Sequence, residues 1–166
     1  MQTTTRTPDE RRRTARVLAG ASEARLAELW RTWEDRPRVD YVRAPEAGLV
    51  MVQARTGGTG DRFNLGEATV TRATVAVTHE GGEGVLGTAH VLGSHPEHAA
   101  LAAIFDGLLA SPARDRVLES VIAPLEAEQV ARDAADRRDA RSTVVDFFTV
   151  ARENDGFGPE DDEDDE

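Results

Sequence analysis

The sequence predicts an α+β fold, in which a small central antiparallel sheet of three to four strands has helices at its N-terminal and C-terminal sides. Apolar residues recur at helical spacing before residue 37 and again after residue 94. Between residues 41 and 92, runs of β-branched and small residues are broken by glycines. At 166 residues the chain has the length of one ordinary domain.

Two helices are expected before the sheet. Thr7, Pro8 and Glu10 have the spacing of a capping box with proline at the first helical position, so the first helix should run from here to about Gly20. The second helix should begin after Ser22 and end at the next proline. Its spacing predicts both tryptophans of the chain on one apolar stripe.

Three or four antiparallel strands are expected in the middle of the chain, and three of them can be placed. In the first, Val50, Val52 and Ala54 share one face and the other face is more polar, which predicts half-buried strands. The alternation of the second strand shifts near Arg72, where we expect a bulge. A tight hairpin loop is predicted over Glu80–Gly84. The predicted strands are Gly48–Thr56, about Ala68–Thr78, and Val85–Leu92.

The last third of the sequence is predicted to be helical. Ser94 and Glu97 have capping-box spacing and should begin an amphipathic helix. Pro112 is expected to open another short helix, and Pro124 to restart it towards residue 140. Leucine and phenylalanine at helical intervals form the apolar face of the first of these helices: Leu101, Phe105 and Leu108.

A β-prone apolar segment, Val144–Val150, follows the helices. It contains Phe147 and Phe148, which point to opposite sides of an extended chain, and it is too apolar to be left exposed without a reason. We therefore predict that a partner covers it. The boundaries expected are a single domain over residues 1–152 and a disordered acidic tail over residues 153–166.

Composition excludes several classes of function. The chain has no cysteine, so disulfides, thiol nucleophiles and thiolate metal sites are excluded. The formal net charge is −11, of which the acidic run Glu160–Glu166 supplies most, leaving about −4 elsewhere. Nonspecific nucleic-acid binding is therefore disfavoured. The polar start, Met1–Arg13, predicts neither a signal peptide nor a membrane span, so we expect a cytoplasmic protein.

Three histidines, His90, His95 and His98, lie close together in the sequence and raise the question of a metal site. No HExxH pattern or paired carboxylates accompany them, so ordinary structural roles are favoured. Ser94, His98 and Asp106 invite comparison with a catalytic triad, but no nucleophile elbow surrounds Ser94. No metal site and no catalytic residue are predicted.

A glycine-rich stretch between two of the predicted strands is a candidate anion site. Gly57, Gly58 and Gly60 allow unusual backbone angles, and Arg55 and Arg62 flank them. The stretch lacks the GK[ST] sequence of a P-loop and does not precede a helix. The residues alone favour a structural turn.

Several stretches of the sequence occur together in one known family. The sequence resembles the G subunit of carbon-phosphorus lyase core complexes over most of residues 9–153. A His98-Ala99 pair is also shared, although Ala100 stands where the family commonly has an acid. The stretches that carry the resemblance are Arg43–Val50, Gln53–Gly60, Phe63, Gly66–Ala73 and Val145–Arg152.

The resemblance implies a subunit of a complex formed by G, H, I and J proteins, with the I subunit as its direct contact. In that pathway the I subunit, assisted by G, H and an ATPase-like L protein, displaces adenine from ATP with a phosphonate. The product is a ribose 1-phosphonate 5-triphosphate. The chain would then be one subunit of a multi-subunit transferase and would be inactive alone. It would have no cofactor of its own, since ATP and phosphonate are substrates of the complex.

Ten residues are predicted at a partner or substrate surface. An alternative remains open, a free-standing anion-binding or metal-dependent module that uses the glycine loop or the histidines. A subunit should co-purify with partners, whereas a module should bind its ligand unaided. The predicted surface residues are Arg55, Gly57, Gly58, Gly60, Arg62, Glu67, Arg72, Asp146, Phe147 and Phe148.

Overall fold

A computed structural model describes residues 6–142, and in this range a three-stranded antiparallel sheet carries helices on one face. The predicted α+β class is confirmed. The elements are α1 Pro8–Gly20, α2 Glu23–Arg31, β1 Arg38–Arg55, a 3₁₀ turn Thr56–Gly58, β2 Arg62–Thr78, β3 Val85–Leu92, α3 Pro96–Leu108, α4 Arg114–Val117, a π-helical turn Leu118–Ile122, and α5 Ala123–Ser142.

The predicted capping box begins α1. The Thr7 hydroxyl accepts a hydrogen bond from the Glu10 backbone at 3.2 Å, and the Glu10 carboxylate accepts one from the Thr7 backbone at 2.8 Å. Helix α2 ends before Trp33, so the prediction of both tryptophans on one helical stripe is wrong. Both rings nevertheless pack edge-on against Phe105, with each tryptophan ring centroid 6.0 Å from that of Phe105.

The strands follow the order β1-β2-β3, and each pair is antiparallel. Strand β1 has 18 residues and β2 has 17, so both extend well beyond the predicted limits. Strand β3 has 8 residues and pairs only with the second half of β2, between Val70 and Val77. The predicted hairpin loop lies between β2 and β3, and Gly81 has a positive φ of 70° there.

The bulge predicted near Arg72 of β2 lies in β1, the strand that pairs with it. Arg43 pairs with Thr74, and Glu46 with Arg72, so two β1 residues, including Pro45, lie opposite one residue of β2. The alternation of β2 itself is unbroken through this region. Proline is tolerated here because β1 is an edge strand at an interrupted part of the ladder.

Helix α3 packs against the sheet and forms the centre of the core. We expected an amphipathic helix, but every residue from His98 to Leu108 is buried. The sheet covers one side of α3, while α1 and α2 cover others. Its largest fully buried side chain, Phe105, lies among residues of the other elements, including Leu18, Leu26, Val75, Val77, Val121 and Leu125.

The predicted capping role of Ser94 at the start of α3 is wrong. His95 is the N-cap residue, and no side chain of the cap itself makes a capping hydrogen bond. The buried Thr71 hydroxyl of β2 instead accepts a hydrogen bond from the His95 backbone at 2.9 Å and donates one to the Gly93 carbonyl at 2.6 Å. A residue 24 positions away therefore anchors the helix.

Helix α3 approaches the sheet so closely that two glycines are required. A Cβ atom at Gly87 would lie 2.0 Å from the Ala103 carbonyl oxygen, and one at Gly107 would lie 2.6 Å from Cγ2 of Val77. Both distances are far below van der Waals contact. Backbone therefore meets backbone where α3 crosses β3.

The C-terminal helices form one continuous run, so the predicted restart at Pro124 is wrong. A π-helical turn, Leu118–Ile122, precedes Pro124. It widens the helix at the point where the Pro124 ring would otherwise clash with the Ser120 carbonyl. Helix α5 is tied to α1 by hydrogen bonds from Gln129 to the Val17 carbonyl at 2.7 Å and from Arg132 to the Gly20 carbonyl at 2.8 Å. Within residues 6–142, no helix is both long and apolar enough to cross a membrane.

We predict that Gly87→Ala lowers the free energy of unfolding by about 3 kcal/mol, because a methyl group at this contact forces α3 away from the sheet. Gly48→Ala is the matched control, since a Cβ atom there has nothing within 4 Å. It should change stability by less than about 1 kcal/mol. Urea unfolding followed by circular dichroism measures both, and equal stabilities would contradict the close contact.

Candidate functional site: an exposed two-stranded arm

Strands β1 and β2 continue past the end of β3 as a two-stranded ribbon. We call residues 49–69 the arm: it begins at the Leu49–Thr69 pair and ends at the turn Thr56–Gly58. Strand β3 ends at Leu92, opposite Val70, so it does not reach the arm. The seven residues of β1 in the arm span about 23 Å.

One face of the arm continues the sheet face that the helices leave uncovered, and we call it the outer face. Val50, Val52 and Ala54 lie on it, and Ala54 pairs with Phe63. None of these side chains is charged, and Val50, Val52 and Phe63 are 46%, 38% and 45% exposed. The predicted half-buried strand is therefore wrong for this run, because the domain covers neither face.

The inner face, which continues the helix-covered side of the sheet, is also partly apolar. Leu49 and Met51 are 64% and 52% exposed, and Met51 pairs with Glu67. A register shift leaves Leu65 as an extra residue, 65% exposed. An isolated two-stranded ribbon is at best marginally stable in water, and a contiguous exposed apolar patch marks an interaction site.

Sequence reasoning missed the apolar residues of the arm as site candidates. The signal was present, since Leu49, Val50, Met51 and Val52 are four consecutive apolar residues. Such a run is typical of a strand covered on both faces. A domain whose helices cover only one face of its sheet cannot bury that strand alone.

The tip of the arm is built by glycines. Gly57 and Gly58 have φ values of 58° and 82°, and a Cβ atom at either position would have nothing within 4 Å. These positions therefore require glycine for backbone conformation and not for space. The Gly60 N–H donates to the Thr56 carbonyl at 2.8 Å and closes the turn.

Two predicted arginines meet at this tip. Arg55 and Arg62 are directly paired across the strands. An Arg55 Nη1 atom donates to the Gly60 carbonyl at 3.0 Å, so the side chain is held over the turn. A recess of about 360 Å³ is lined by both arginines together with Gln53 and Ala54. The structure thus brings together five of the predicted residues: Arg55, Gly57, Gly58, Gly60 and Arg62.

The other predicted residues lie elsewhere. Glu67 is on the inner face of the arm, away from the tip. Arg72 is at the base of the arm, where it and Arg43 bind the carboxylate of Glu46 at 2.8 and 2.9 Å. Hydrogen bonds from Arg43 and then Arg72 lower the pKa of the Glu46 carboxyl. The predicted residues Asp146, Phe147 and Phe148 lie outside the described residues.

The three histidines do not share a site. His90 is exposed on the outer face of the sheet, opposite Arg72. His98 is buried on α3, on the other side of the sheet, and its Nε2 lies 2.8 Å from the Leu18 carbonyl oxygen. His95 is exposed, with its ring 6.5 Å from that of His98. Residues 6–142 contain no group of three or more potential ligands suited to a metal ion.

Asp106, which the sequence suggested as a member of a catalytic triad, instead makes structural contacts. Its carboxylate binds Arg6 at 2.8 Å and accepts a hydrogen bond from the Thr88 backbone at 3.0 Å. Both charged side chains are almost fully buried. The pair therefore joins the segment before α1 to α3 and to the open edge of β3.

The matches to known proteins cover the arm and most of the helices. Residues 9–153 match the model of a family described as phosphonate metabolism protein PhnG. The chain is also 46% identical, over 151 residues, to a protein of Rhizobium meliloti (strain 1021) named alpha-D-ribose 1-methylphosphonate 5-triphosphate synthase subunit PhnG. That match covers 88% of this chain and 91% of the relative.

We predict that the Glu46 carboxyl titrates below its ordinary pKa of 4.5 in a carbon-detected NMR titration. Because the folded-state pKa is lowered, the contacts at the base of the arm are stabilising above pH 4.5 and are lost as the pH falls through the lowered value. Arg43→Gln should raise the pH midpoint of the Glu46 titration. Arg38→Gln should leave that midpoint unchanged, because Arg38 binds Asp40 and not Glu46. An unchanged midpoint in Arg43→Gln would contradict the assignment.

Proposed function

This chain belongs to the PhnG family of phosphonate metabolism proteins, and we propose that it is the G subunit of a carbon-phosphorus lyase core complex. It supports the transfer of a phosphonate to C1 of the ribose of ATP, with release of adenine. The relative from Rhizobium meliloti is named as a subunit of the synthase that makes the corresponding triphosphate product.

One observation carries this proposal: the arm exposes apolar side chains on both faces. Six of them, Leu49, Val50, Met51, Val52, Phe63 and Leu65, are 38–65% exposed. Fully burying one such side chain contributes about 1.5 to 3 kcal/mol, so burying the exposed parts of all six contributes on the order of 5 kcal/mol. This is a substantial share of the roughly 8 kcal/mol of a micromolar complex.

The partners in this proposal are the H, I and J subunits, with the I subunit in direct contact and the ATPase-like L protein in the same pathway. The arm projects away from the helices, so a partner can enclose both of its faces without disturbing the core. The complex works in the cytoplasm. ATP and phosphonate are substrates of the assembly, and this subunit has no cofactor of its own.

Chemistry is assigned to the other subunits. Within residues 6–142, the carboxyls with a shifted pKa are Glu10, Glu46 and Glu126, and hydrogen bonds from Thr7 or from arginines lower the pKa of each. Such groups stay ionised near neutral pH and do not suit general acid or base catalysis. The chain is thus a supporting part of a transferase and inactive alone.

A free-standing anion-binding module is the second candidate, and the paired arginines at the tip favour it. The exposed apolar arm speaks against a protein that works alone, because such a surface promotes association. Size-exclusion chromatography after co-expression with the H, I and J subunits distinguishes the two candidate functions. A subunit elutes with its partners, and a module elutes as a monomer that binds ligand unaided.

We predict that Val50→Asp combined with Val52→Asp prevents assembly. Both side chains are already exposed in the chain, so folding should change little, whereas unpaired charges buried in an apolar interface cost several kcal/mol. The apparent affinity for the I subunit should fall at least a hundredfold in a pull-down at fixed salt.

Val130→Asp is the matched control, because Val130 is 68% exposed on α5. It should assemble normally. Circular dichroism of both proteins checks that folding is retained. Normal assembly of the double variant would show that the arm is not the partner contact.

The isolated chain should show no measurable adenine release from ATP and methylphosphonate. Release should require the I subunit, because the described residues hold no acid–base constellation of the kind catalysis needs. Liquid chromatography of adenine measures the reaction. Robust release by the chain alone, after contaminating nucleosidases are excluded, would overturn this division of roles.

Phe147→Ala and Phe148→Ala should each weaken assembly, since truncating a well-packed ring costs roughly 3 to 5 kcal/mol. Deleting Glu160–Glu166 should leave assembly nearly unchanged, because this run has no apolar residue to bury. A pull-down with the I subunit compares the three variants. Retention of both phenylalanine variants, or loss on deletion of the acidic run, would place the contact elsewhere.

A further inference from the structure

We infer that the tip of the arm is an oxyanion-binding site, in which Arg55 and Arg62 bind a phosphate or phosphonate group of a substrate held by the partner. This inference rests on the proposed function, because it requires the assembled complex. It goes beyond that function by assigning substrate contact to a subunit otherwise described as supporting.

The tip of the arm carries an unbalanced positive charge. Like charges directly opposite each other on paired strands are destabilising, yet Arg55 pairs with Arg62. No ion pair joins either arginine to a carboxylate among the described residues, and this includes the adjacent Asp61. A bound anion would remove the repulsion.

The other arginines of the strands differ from the two at the tip, because each binds a carboxylate. Arg38 binds Asp40 at 2.9 Å, and Arg43 and Arg72 share the carboxylate of Glu46. The arginines of the two long strands that lie outside the arm are thus neutralised within the chain. Only at the tip, among the described strand residues, do two guanidinium groups lie together with no ion pair to a carboxylate.

The tip is also organised before a ligand binds. The hydrogen bond from Arg55 to the Gly60 carbonyl uses one of five guanidinium donors and leaves the others available. Gly60 must be glycine, because a Cβ atom there would lie 2.7 Å from the Thr56 carbonyl oxygen. The turn and the Arg55 side chain are therefore held together beside the recess before a ligand binds.

The position of the tip also favours contact with a substrate held by the partner. The tip lies about 23 Å from the body of the domain along the arm, and the apolar faces behind it are the surfaces that a partner would enclose. A partner that binds the arm necessarily receives the tip. The two guanidinium groups would then enter its interior, where loss of water strengthens a charge-assisted hydrogen bond.

The ligand chemistry is a tetrahedral phosphorus oxyanion, because planar guanidinium groups bind such oxygens in pairs. The reaction offers two sources of this chemistry, the triphosphate of ATP and the phosphonate. Steady-state kinetics can distinguish them, since each substrate can be varied while the other is saturating.

The test is adenine release by the assembled complex that contains Arg55→Gln and Arg62→Gln together. We expect kcat/KM for one of the two substrates to fall about tenfold or more, which is the effect of losing a hydrogen bond to a charged group. A fall for ATP identifies the triphosphate as the ligand, and a fall for methylphosphonate identifies the phosphonate. Arg55→Lys with Arg62→Lys keeps the charge and should recover part of the loss.

Arg38→Gln is the matched control, being the same change in the same strand at the far end from the tip. Its complex should assemble and turn over as the unaltered complex does. Two results would overturn the inference: unchanged kcat/KM for both substrates in an assembled double variant, or loss of assembly by the double variant. Failure of the unaltered complex to assemble or release adenine would instead contradict the proposed function.

Discussion

The contact between Gly87 of β3 and Gly107 of α3 sets the geometry of the whole domain. With no side chain at either position, the helix lies directly on the sheet, where a Cβ atom at Gly87 would be 2.0 Å from the Ala103 carbonyl oxygen. This depth lets α1 and α2 close over α3 and bury it on nearly all sides. The Asp106 carboxylate, one residue before Gly107, then reaches the Thr88 backbone at the open edge of β3.

The arm follows from a mismatch of lengths around that contact. Helix α3 has 13 residues and is about 20 Å long, and β3 with 8 residues is about 26 Å long. Strand β1 with 18 residues spans about 60 Å. A helix and a short strand cannot cover a hairpin more than twice as long as either, so the far part of the hairpin must extend past the core. That part exposes six large apolar side chains, which separates a folding core from a surface suited to association.

Sequence reasoning succeeded where the determining contacts are local. The capping box of Thr7 and Glu10 lies within one helical turn, and α1 has the predicted limits. The start of α3 failed because its anchor, Thr71, is 24 positions away, and the Arg6–Asp106 pair, 100 positions apart, gives no local signal at all. The start of β1 at Arg38 was missed because charged residues and Pro45 interrupt the alternation there. At the candidate site, the sequence indicated the glycines and arginines of the tip, and their role stays a prediction, whereas the apolar face of Val50 and Val52 was interpreted as that of a half-buried strand.

The position of the tip also resolves an electrostatic conflict. Most of the net charge of −11 comes from the acidic run Glu160–Glu166, and the rest of the chain carries about −4, which mildly disfavours an anionic substrate near its body. Interactions between exposed charges are largely screened beyond about 8 Å at physiological ionic strength, and the arm carries the tip about 23 Å away. Acids at its base are already bound, since Glu46 is held by Arg43 and Arg72. The two arginines of the tip therefore present their local positive charge beyond the screening distance of the charges on the domain body.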